Sequence, residues 1–312
     1  MGGENTLKTV LVTGANGFVG QHLVRLLAES GYRIYAVIRN EGEDISNIAG
    51  IDNVEIVYCD MEEIKSLAEK IKDRNIASAY HLAWAGSSGN LRMDYELQLK
   101  NVLWTCRLIE VLAQMEVKRL IISGSVTQLM YREYLTEDEI SPEMVTCYAI
   151  GKIGTEYMCK CLCTKYNIDL CWAYISNFYG ADDPTQNFIN FLIENYSQNR
   201  VPALTPAEQL ADFAYVTDIS KGLMYACERG RKNTSYYIGY GDPKPLKEFI
   251  FKVRDIINPG LDSGIGKKDF NGMNVDFSKI DVQKLVRDTG YRAEVTFEEG
   301  IHCLLEKRKC HE

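Results

Sequence analysis

The first half of the chain alternates short, continuous apolar runs with longer segments in which apolar residues recur at helical spacing. Such runs are typical of buried strands, and the recurring spacing is typical of helices that cover a sheet. The predicted strands are 10–13, 33–38, 54–58, 77–83, 119–122 and 168–175, and the predicted helices begin at 18 or span 62–72, 95–114 and 142–166. This alternation predicts an α/β fold with a doubly wound parallel sheet.

After residue 177 the pattern breaks into short pieces. Six of the chain's seven prolines lie there, and Pro142 is the exception. Because proline interrupts both helices and sheets, we predict a smaller, less regular lobe, with one helix, 218–229, that returns to the sheet. The predicted division is a sheet domain of residues 1–176, to which 211–232 return, and a C-terminal lobe of residues 177–210 and 233–312.

Three glycines, Gly14, Gly17 and Gly20, mark the junction between the first strand and the first helix. Without side chains there, backbone N–H groups can approach a phosphate, and the positive end of the helix dipole favours its negative charge. A tight turn without a ligand is the alternative. The strand before the glycines and the helix after them favour the phosphate site.

Tyr148 and Lys152 lie four residues apart on a predicted helix, so their side chains share one face. A tyrosine phenol has an ordinary pKa of about 10, and a nearby ammonium lowers that pKa by stabilising the phenolate. The pair can therefore relay a proton to or from an oxygen while hydride moves at the neighbouring carbon. The alternative is a surface pair that arose by chance.

Together these motifs resemble the extended short-chain dehydrogenase/reductase family, also called the NAD-dependent epimerase/dehydratase family. The segments 81–84 and 295–301 extend the resemblance over nearly the whole chain. The resemblance implies a Rossmann domain for NAD(P) and a smaller lobe for a nucleotide-sugar substrate. It implies cofactor contacts at Gly14, Asn16, Gly17, Phe18, Val19, Gly20, Arg39, Asp60, Met61, Leu82, Ala83, Trp84, Asn101, Tyr148 and Lys152.

The resemblance also implies which residues carry the chemistry. Ser125 takes the position of the serine that hydrogen-bonds the reacting oxygen, Thr127 assists it, and Asn101 helps to shape the site. A capping or turn cluster of hydroxyl residues is the alternative. The implied catalytic residues are Ser125, Tyr148, Lys152, Thr127 and Asn101, and the implied substrate contacts are Trp84, Ser125 and Asn177. His81 is predicted to be structural.

Arg39 bears on the choice of cofactor. In dinucleotide folds an acid at the end of the second strand binds the ribose hydroxyls, whereas an arginine accommodates a 2′-phosphate. Arg39 therefore favours NADP, with NAD as the alternative and a solvated surface arginine as the other interpretation. Asp60 fits either an adenine contact or a helix N-cap, and both roles can hold together.

Some residues that the family carries are absent. Its 4,6-dehydratases have an Asp-Glu pair directly after the catalytic hydroxyl residue, and here those positions are Val126 and Thr127, which disfavours dehydration. The arginine that usually binds the diphosphate is replaced by Ala211. Arg292 and Lys267 are the candidate replacements.

The composition limits the partners and the compartment. A net charge of −8 without a long basic run argues against a nucleic-acid partner. No apolar run is long enough to span a membrane and no signal peptide is expected, so the ten cysteines are interpreted as free thiols in the cytoplasm. Cys159, Cys161 and Cys163 point in different directions on a helix, so we expect no metal site.

The predicted function is NAD(P)-dependent reduction of the 4-keto group of a nucleotide-linked deoxysugar. Segments 81–84 and 94–98 are most similar to dideoxyhexose synthases of the abequose or paratose type. Two alternatives stay open: a 4-epimerase of the UDP-glucose type that retains its NAD, and a non-enzymatic regulator that senses the cofactor. Regulators of that type often lack the Tyr/Lys pair. The sequence leaves open whether the chain forms a homodimer.

Overall fold

A seven-stranded parallel sheet forms the centre of the protein. The structure is a computed structural model, and it describes residues 7–134, 146–270 and 272–309. The strands in chain order are β1 (Lys8–Thr13), β2 (Tyr32–Ile38), β3 (Val54–Tyr58), β4 (Ile76–His81), β5 (Arg119–Ser125), β6 (Asp169–Ile175), β7 (Asn177–Tyr179), β8 (Leu210–Ala211), β9 (Phe213–Tyr215), β10 (Ser235–Ile238) and β11 (Lys244–Pro245). The sheet order is β3-β2-β1-β4-β5-β6-β10, and all neighbouring pairs are parallel. The order reverses between β1 and β4, where such sheets open a crevice at the carboxyl ends of their strands.

Helices cover both faces of this sheet. They are α1 (Phe18–Glu29), α2 (Leu67–Lys70), α3 (Tyr95–Gln114), α4 (Val126–Tyr134), α5 (Thr146–Tyr166), α6 (Phe188–Ser197), α7 (Val216–Arg229), α8 (Leu246–Ile257), α9 (Lys284–Thr289) and α10 (Phe297–Lys309). Along β1, Val10 and Val12 belong to the core shared with α1 and α7, while Leu11 belongs to the core shared with α3 and α5. Successive strand residues point to opposite faces, so an unbroken apolar strand fills two cores. The predicted α/β class is confirmed.

A third core lies between the later elements of the chain. It joins α6, α8 and α10 through a group of aromatic rings that includes Phe213, Phe249 and Phe297. The centroids of Phe249 and Phe297 are 4.9 Å apart at an interplanar angle of 71°, an edge-to-face contact. This separate apolar centre gives residues beyond 177 a packing unit of their own.

Several predicted elements form as expected and others differ. Strand β3 and helix α3 have the predicted bounds. The predicted helix 62–72 is instead a 3-10 helix, Met61–Ser66, followed by α2, because Glu63 leaves helical geometry (φ −101°, ψ 16°). Helix α4 was not predicted. Pro142, at the predicted start of the next helix, lies outside the described residues, as do the N-terminal residues considered for a signal peptide.

Strand β10 corrects the predicted extent of the lobe. The sequence placed all of 233–312 in the lobe, but Ser235–Ile238 pairs with β6 at the edge of the central sheet. The rest of the predicted two-part division stays a prediction. Among the described residues, no helix has the length and apolar character needed to cross a membrane.

Candidate active site

A cavity of about 1130 Å³ opens between the carboxyl edge of the sheet and the elements beyond β7. Its lining includes every residue of the predicted catalytic and cofactor-binding sets and every predicted substrate contact. These are Gly14, Asn16, Gly17, Phe18, Val19, Gly20, Arg39, Asp60, Met61, Leu82, Ala83, Trp84, Asn101, Ser125, Thr127, Tyr148, Lys152 and Asn177. The fold thus brings together the carboxyl ends of β1 to β5, the start of β7 and residues of the four helices α1, α3, α4 and α5.

The turn after β1 has the close backbone packing that its glycines allow. Gly14 has φ +68°, and a Cβ there would lie 2.7 Å from the backbone nitrogen of Ala83. A Cβ on Gly20 would lie 2.1 Å from the carbonyl oxygen of Gly14. Side chains at either position would push α1 away from β1 and β4. Gly17 is the N-cap of α1 and carries no side chain between the helix N-terminus and the cavity, as a pyrophosphate of NAD(P) would require.

Arg39 and Asp60 lie at the ends of β2 and β3. Arg39 is 61% exposed and forms an ion pair with Glu43 at 3.4 Å. Asp60 caps the following 3-10 helix by accepting a hydrogen bond from the backbone N–H of Glu62 at 2.8 Å. The capping interpretation of Asp60 is therefore realised, and its carboxylate still lines the cavity beside Met61.

Asn101 fastens the loop that follows β4. Its Oδ1 accepts the Ala85 N–H at 3.0 Å and its Nδ2 donates to the Ala85 carbonyl at 2.8 Å. Since both ends of the amide are occupied, its observed role is to shape this loop. His81 is buried, with ring nitrogens 2.7 Å from Thr13 Oγ1 and 3.0 Å from Thr105 Oγ1. Burial lowers the pKa of His81 to about 3, so the imidazole stays neutral.

Ser125 is oriented by three hydrogen bonds with two neighbours at the end of β5. Its hydroxyl donates to Thr127 Oγ1 at 3.1 Å and accepts the Thr127 N–H at 3.2 Å. Its backbone N–H donates to Gln128 Oε1 at 2.9 Å. Thr127 therefore contacts the Ser125 hydroxyl directly, and Gln128 holds the Ser125 backbone, a contact that the sequence did not indicate.

Tyr148 is buried in the cavity wall and interacts with Ser125. Burial raises the pKa of the Tyr148 phenol, whereas the hydrogen bond with Ser125 and the charge of Arg92 act to lower it. The guanidinium carbon of Arg92 lies 4.5 Å from the centroid of the Tyr148 ring. The indole of Trp84 meets the same ring edge-to-face, at 6.1 Å and 85°.

Lys152 lies one turn further along α5. Its Nζ donates to the Ser123 carbonyl at 2.6 Å and lies 3.8 Å from the centroid of the Trp84 ring. Burial lowers the pKa of this amine to about 7. Trp84 is thus a neighbour of both Tyr148 and Lys152.

Glu156 extends the same face of α5 into the interior. Its carboxylate accepts hydrogen bonds from Gln128 Nε2 at 3.2 Å, Tyr174 OH at 2.6 Å and Lys160 Nζ at 2.6 Å. Gln128 Oε1 also accepts the Trp172 indole N–H at 3.2 Å. This buried network joins helix α5 to the backbone of Ser125.

The far end of the cavity contains few charged groups. Its lining beyond β7 is Asp183, Thr185, Asn187, Phe188, Ile189, Gln209, Leu210, Ala211, Phe213, Leu246, Met273, Asn274 and Val275, and these described residues include no lysine or arginine. Neither candidate replacement lines it: Lys267 pairs with Asp262 at 2.7 Å, and Arg292 lines a separate hollow of about 230 Å³. The compensating role suggested for these two residues stays a prediction. Exposed Asn177, on β7, does face this cavity.

Comparison with known proteins defines the class. The model of the NAD dependent epimerase/dehydratase family matches residues 10–239, and the chain belongs to this family. It is 24% identical to CDP-abequose synthase of Salmonella typhimurium over 308 residues, which cover 96% of this chain and 97% of that protein. It is also 24% identical to dTDP-4-dehydro-6-deoxyglucose reductase of Escherichia coli over 316 residues, covering 96% and 98%. The family resemblance seen in the sequence is confirmed.

Solved structures agree on the fold. The enzyme WbmF of Bordetella bronchiseptica in complex with NADH superposes with a TM-score of 0.78 at 20% identity, covering 97% of this chain and 92% of that one. UDP-glucose 4-epimerase of Thermotoga maritima with UDP-glucose gives a TM-score of 0.76 at 20% identity, covering 97% and 100%. At these identities the likeness concerns the fold alone.

Proposed function

We propose that the protein reduces the 4-keto group of a nucleotide-linked deoxysugar with NADPH. The observation that carries the proposal is the placement of Ser125, Tyr148 and Lys152 in one cavity with the glycine turn. Family membership and the two curated relatives support an NAD(P)-dependent enzyme acting on nucleotide sugars.

The residues present fit a dinucleotide. The close packing at Gly14 and Gly20 and the missing side chain at Gly17 leave the N-terminus of α1 open to a pyrophosphate. The bound cofactor would supply the hydride. The chain's own part is proton transfer: Tyr148 donates its phenolic proton to the carbonyl oxygen as the carbonyl carbon is reduced, which gives an alcohol, and the phenolate then recovers a proton from solvent. Ser125 hydrogen-bonds the same oxygen and fixes its position.

Arg39 supports NADP as the cofactor. Its ion pair with Glu43 is exposed, and exposed pairs contribute only about 0–1 kcal/mol. A 2′-phosphate offers a guanidinium a stronger, charge-assisted partner, so the phosphate can replace Glu43. WbmF was solved with NADH, which keeps NAD as the alternative cofactor.

The residues beside Ser125 support reduction over dehydration. Val126 and Thr127 stand where the family's 4,6-dehydratases carry their acids. A valine holds no exchangeable proton, and the threonine hydroxyl is hydrogen-bonded to Ser125. Elimination of water would need an acid and a base at these positions.

A 4-epimerase is the second candidate function. It would use the same three residues, and the fold neighbour from Thermotoga maritima is a UDP-glucose 4-epimerase. The two functions differ in how the cofactor is handled: an epimerase keeps its reduced cofactor during turnover, whereas a reductase exchanges it every cycle.

The deciding experiment supplies two substrates separately. A 4-keto-6-deoxy sugar nucleotide with NADPH should be reduced with one NADPH consumed per sugar, by protein that purifies largely without nucleotide. UDP-glucose without added cofactor should stay unchanged. Conversion of UDP-glucose by protein with tightly bound NAD would contradict the reductase function and support the epimerase function.

A homodimer also belongs to the proposal. Apolar side chains are exposed in rows on two adjacent helices, with Tyr95, Leu99 and Leu103 on α3 and Ile150 and Tyr157 on α5. Burial of such a face against a second copy would remove apolar area from water. Sedimentation of the parent and of a Leu99→Glu variant tests this: the parent should be a dimer and the variant a monomer.

A further inference from the structure

We propose that Arg92, on the loop that follows β4, binds the diphosphate of the nucleotide-sugar substrate. The inference rests on the proposed function, because it takes the substrate to be a sugar linked to a nucleoside diphosphate, and it names the residue that meets the charge of that group. A guanidinium offers phosphate oxygens a planar set of N–H donors. The cation that binds the diphosphate should line the cavity and have no acid of the protein beside it.

The lobe side of the cavity offers no cation for this group. The described lining residues beyond β7 include no lysine or arginine, and their one charged side chain is the half-buried carboxylate of Asp183. Asp183 accepts hydrogen bonds from the Thr185 N–H at 2.9 Å, the Thr185 hydroxyl at 2.7 Å and the Asn187 amide at 2.6 Å. A diphosphate placed there would meet a like charge, which is unfavourable. The charge of the substrate is therefore expected to be met on the other side of the cavity.

Two of the four cations that line the cavity in the described part of the chain lie at the cofactor end and have acids beside them. Arg39 pairs with Glu43 at 3.4 Å, and Lys100 pairs with Glu62 at 3.6 Å. Arg39 follows β2 and Glu62 follows β3, and these strands are separated from β5 by β1 and β4. Neither cation is therefore placed to bind a substrate whose keto oxygen lies at the end of β5.

The other two cations lie beside Tyr148, and one of them has no partner. Lys152 is buried, and its Nζ donates to the Ser123 carbonyl at 2.6 Å. Arg92 is half-buried, with its guanidinium carbon 4.5 Å from the centroid of the Tyr148 ring. It forms no ion pair or hydrogen bond within the described ranges, and its Nε is buried without a partner. Because buried donors are nearly always satisfied, this arginine indicates a partner that arrives with the substrate.

The position of Arg92 matches the proposed pose of the sugar. The keto oxygen at C4 accepts hydrogen bonds from Tyr148 and Ser125, and the phosphate is attached to C1, on the opposite side of the sugar ring. A guanidinium beside the Tyr148 ring lies within the length of a sugar from the hydroxyl that meets C4. One substrate can therefore contact Tyr148 with its keto oxygen and Arg92 with its diphosphate.

The segment that carries Arg92 is anchored to α3. Arg92 lies on a 3-10 helix, Gly89–Met93. The buried amide of Gln98 donates from Nε2 to the carbonyls of Leu91 at 3.0 Å and Gly86 at 3.2 Å. The backbone on both sides of the loop is thus fixed before the substrate binds, which reduces the entropy lost when an anion orders the arginine.

The test measures the binding of free nucleotides to the full-length protein with its cofactor site filled by NADP⁺. Titration calorimetry with UDP, CDP, dTDP and GDP identifies the nucleoside diphosphate that the parent binds. Arg92→Met should weaken the binding of that nucleotide by about tenfold to a hundredfold, the loss expected for one charge-assisted contact. Arg92→Gln should act alike, whereas Arg92→Lys should lose less, since an ammonium keeps the charge without the planar fork.

Two further measurements separate phosphate binding from a structural role. Added NaCl should weaken nucleotide binding by the parent more than binding by Arg92→Met, because only the parent has an ion contact to be screened. The affinity for NADP⁺ should be equal in the parent and the variants. Lys100→Met is the matched control, since it removes a cavity cation that has an acidic partner, and its nucleotide affinity should equal the parent's.

Unchanged nucleotide affinity in both neutral Arg92 variants, or an equal loss in Lys100→Met, would overturn the proposal. A loss confined to UDP-glucuronate, with the affinity for UDP unchanged, would place a sugar carboxylate at Arg92 and would overturn it as well. A parent that binds none of the four nucleotides would contradict the nucleotide-linked substrate and the inference together, whereas parent-like binding by the variants contradicts the inference alone. If Arg92→Met fails to fold, Arg92→Gln decides.

Discussion

Gln128 Oε1 lies 2.9 Å from the backbone nitrogen of Ser125 and accepts its hydrogen bond. The opposite end of the same amide donates to Glu156, two turns beyond Tyr148 on α5. The spacing between the serine strand and the tyrosine helix is therefore held by a buried side chain that takes no part in proton transfer.

Replacing Gln128 should weaken both stability and turnover. Gln128→Leu leaves the N–H groups of Ser125 and Trp172 without an acceptor in the interior, which costs about 1–3 kcal/mol of unfolding free energy. The turnover number should fall while the affinity for NADPH is retained, because the glycine turn is untouched. Urea unfolding and steady-state kinetics measure both effects. Gln114→Leu, an exposed position on α3, should change neither, and equal behaviour of the two variants would contradict the positioning role.

Tyr148→Phe should bind cofactor normally and lose most of its turnover. The ring keeps its contacts with Arg92 and Trp84, but it has no proton to donate, and removal of such a group costs about 10²–10⁴-fold in rate. Single-turnover reduction of a 4-keto-sugar nucleotide measures the loss. Ser125→Ala should be milder, since the proton donor remains. Parent-like rates in Tyr148→Phe would show that the acid is another group.

Arg39→Ala should remove a preference for NADPH. A charge-assisted contact of about 1.5–3 kcal/mol corresponds to one to two decades in affinity, so the parent should bind NADPH more tightly than NADH by that margin. The variant should bind both alike, with NADH affinity nearly unchanged. Fluorescence titration of the two cofactors gives the values. Equal affinities in the parent protein would favour the NAD-retaining epimerase.

Lys152 should impose a pH dependence on stability. Burial lowers its pKa to about 7 in the folded protein, against about 10.4 in an unfolded chain. Between these two pKa values the unfolded state binds more protons than the folded state, so the unfolding free energy rises with pH. Below about pH 7 the amine is charged in both states, and the full cost of burying its charge remains. Lys152→Met lacks this contribution. The stability of the parent relative to the variant should therefore increase from pH 7 to pH 10, by about 1.4 kcal/mol per unit of pKa depression.

Urea unfolding of both proteins across this range measures that difference. A difference in unfolding free energy that stays constant from pH 7 to pH 10 would mean that the pKa of Lys152 is not lowered in the folded state. Lys165→Met provides a control, because Lys165 is an exposed residue near the C-terminal end of the same helix. Its stability relative to the parent should show no such rise.

Local patterns explain why much of the site could be predicted from the sequence. The glycine turn depends on residue spacing along one strand–helix junction, and the Tyr148–Lys152 pair depends on residue spacing along one helix. Their relative positions can therefore be predicted from local sequence alone. Arg92 and Gln128 depend on contacts between elements far apart in the chain, and no periodicity marks either residue. Strand β10 was missed because its four residues are too few to show a period beside the neighbouring glycines and prolines.

Strand β10 has a consequence for how the chain can be divided. It covers the outer edge of β6, yet it follows the whole 177–234 segment in the sequence. A fragment ending at residue 176 would contain every predicted catalytic residue and still expose the hydrogen-bonding groups of β6 along an open edge. Open edges of this kind recruit other strands and lead to aggregation. The dinucleotide half of this protein should therefore precipitate when it is expressed alone, and remain monodisperse when residues up to 238 are included.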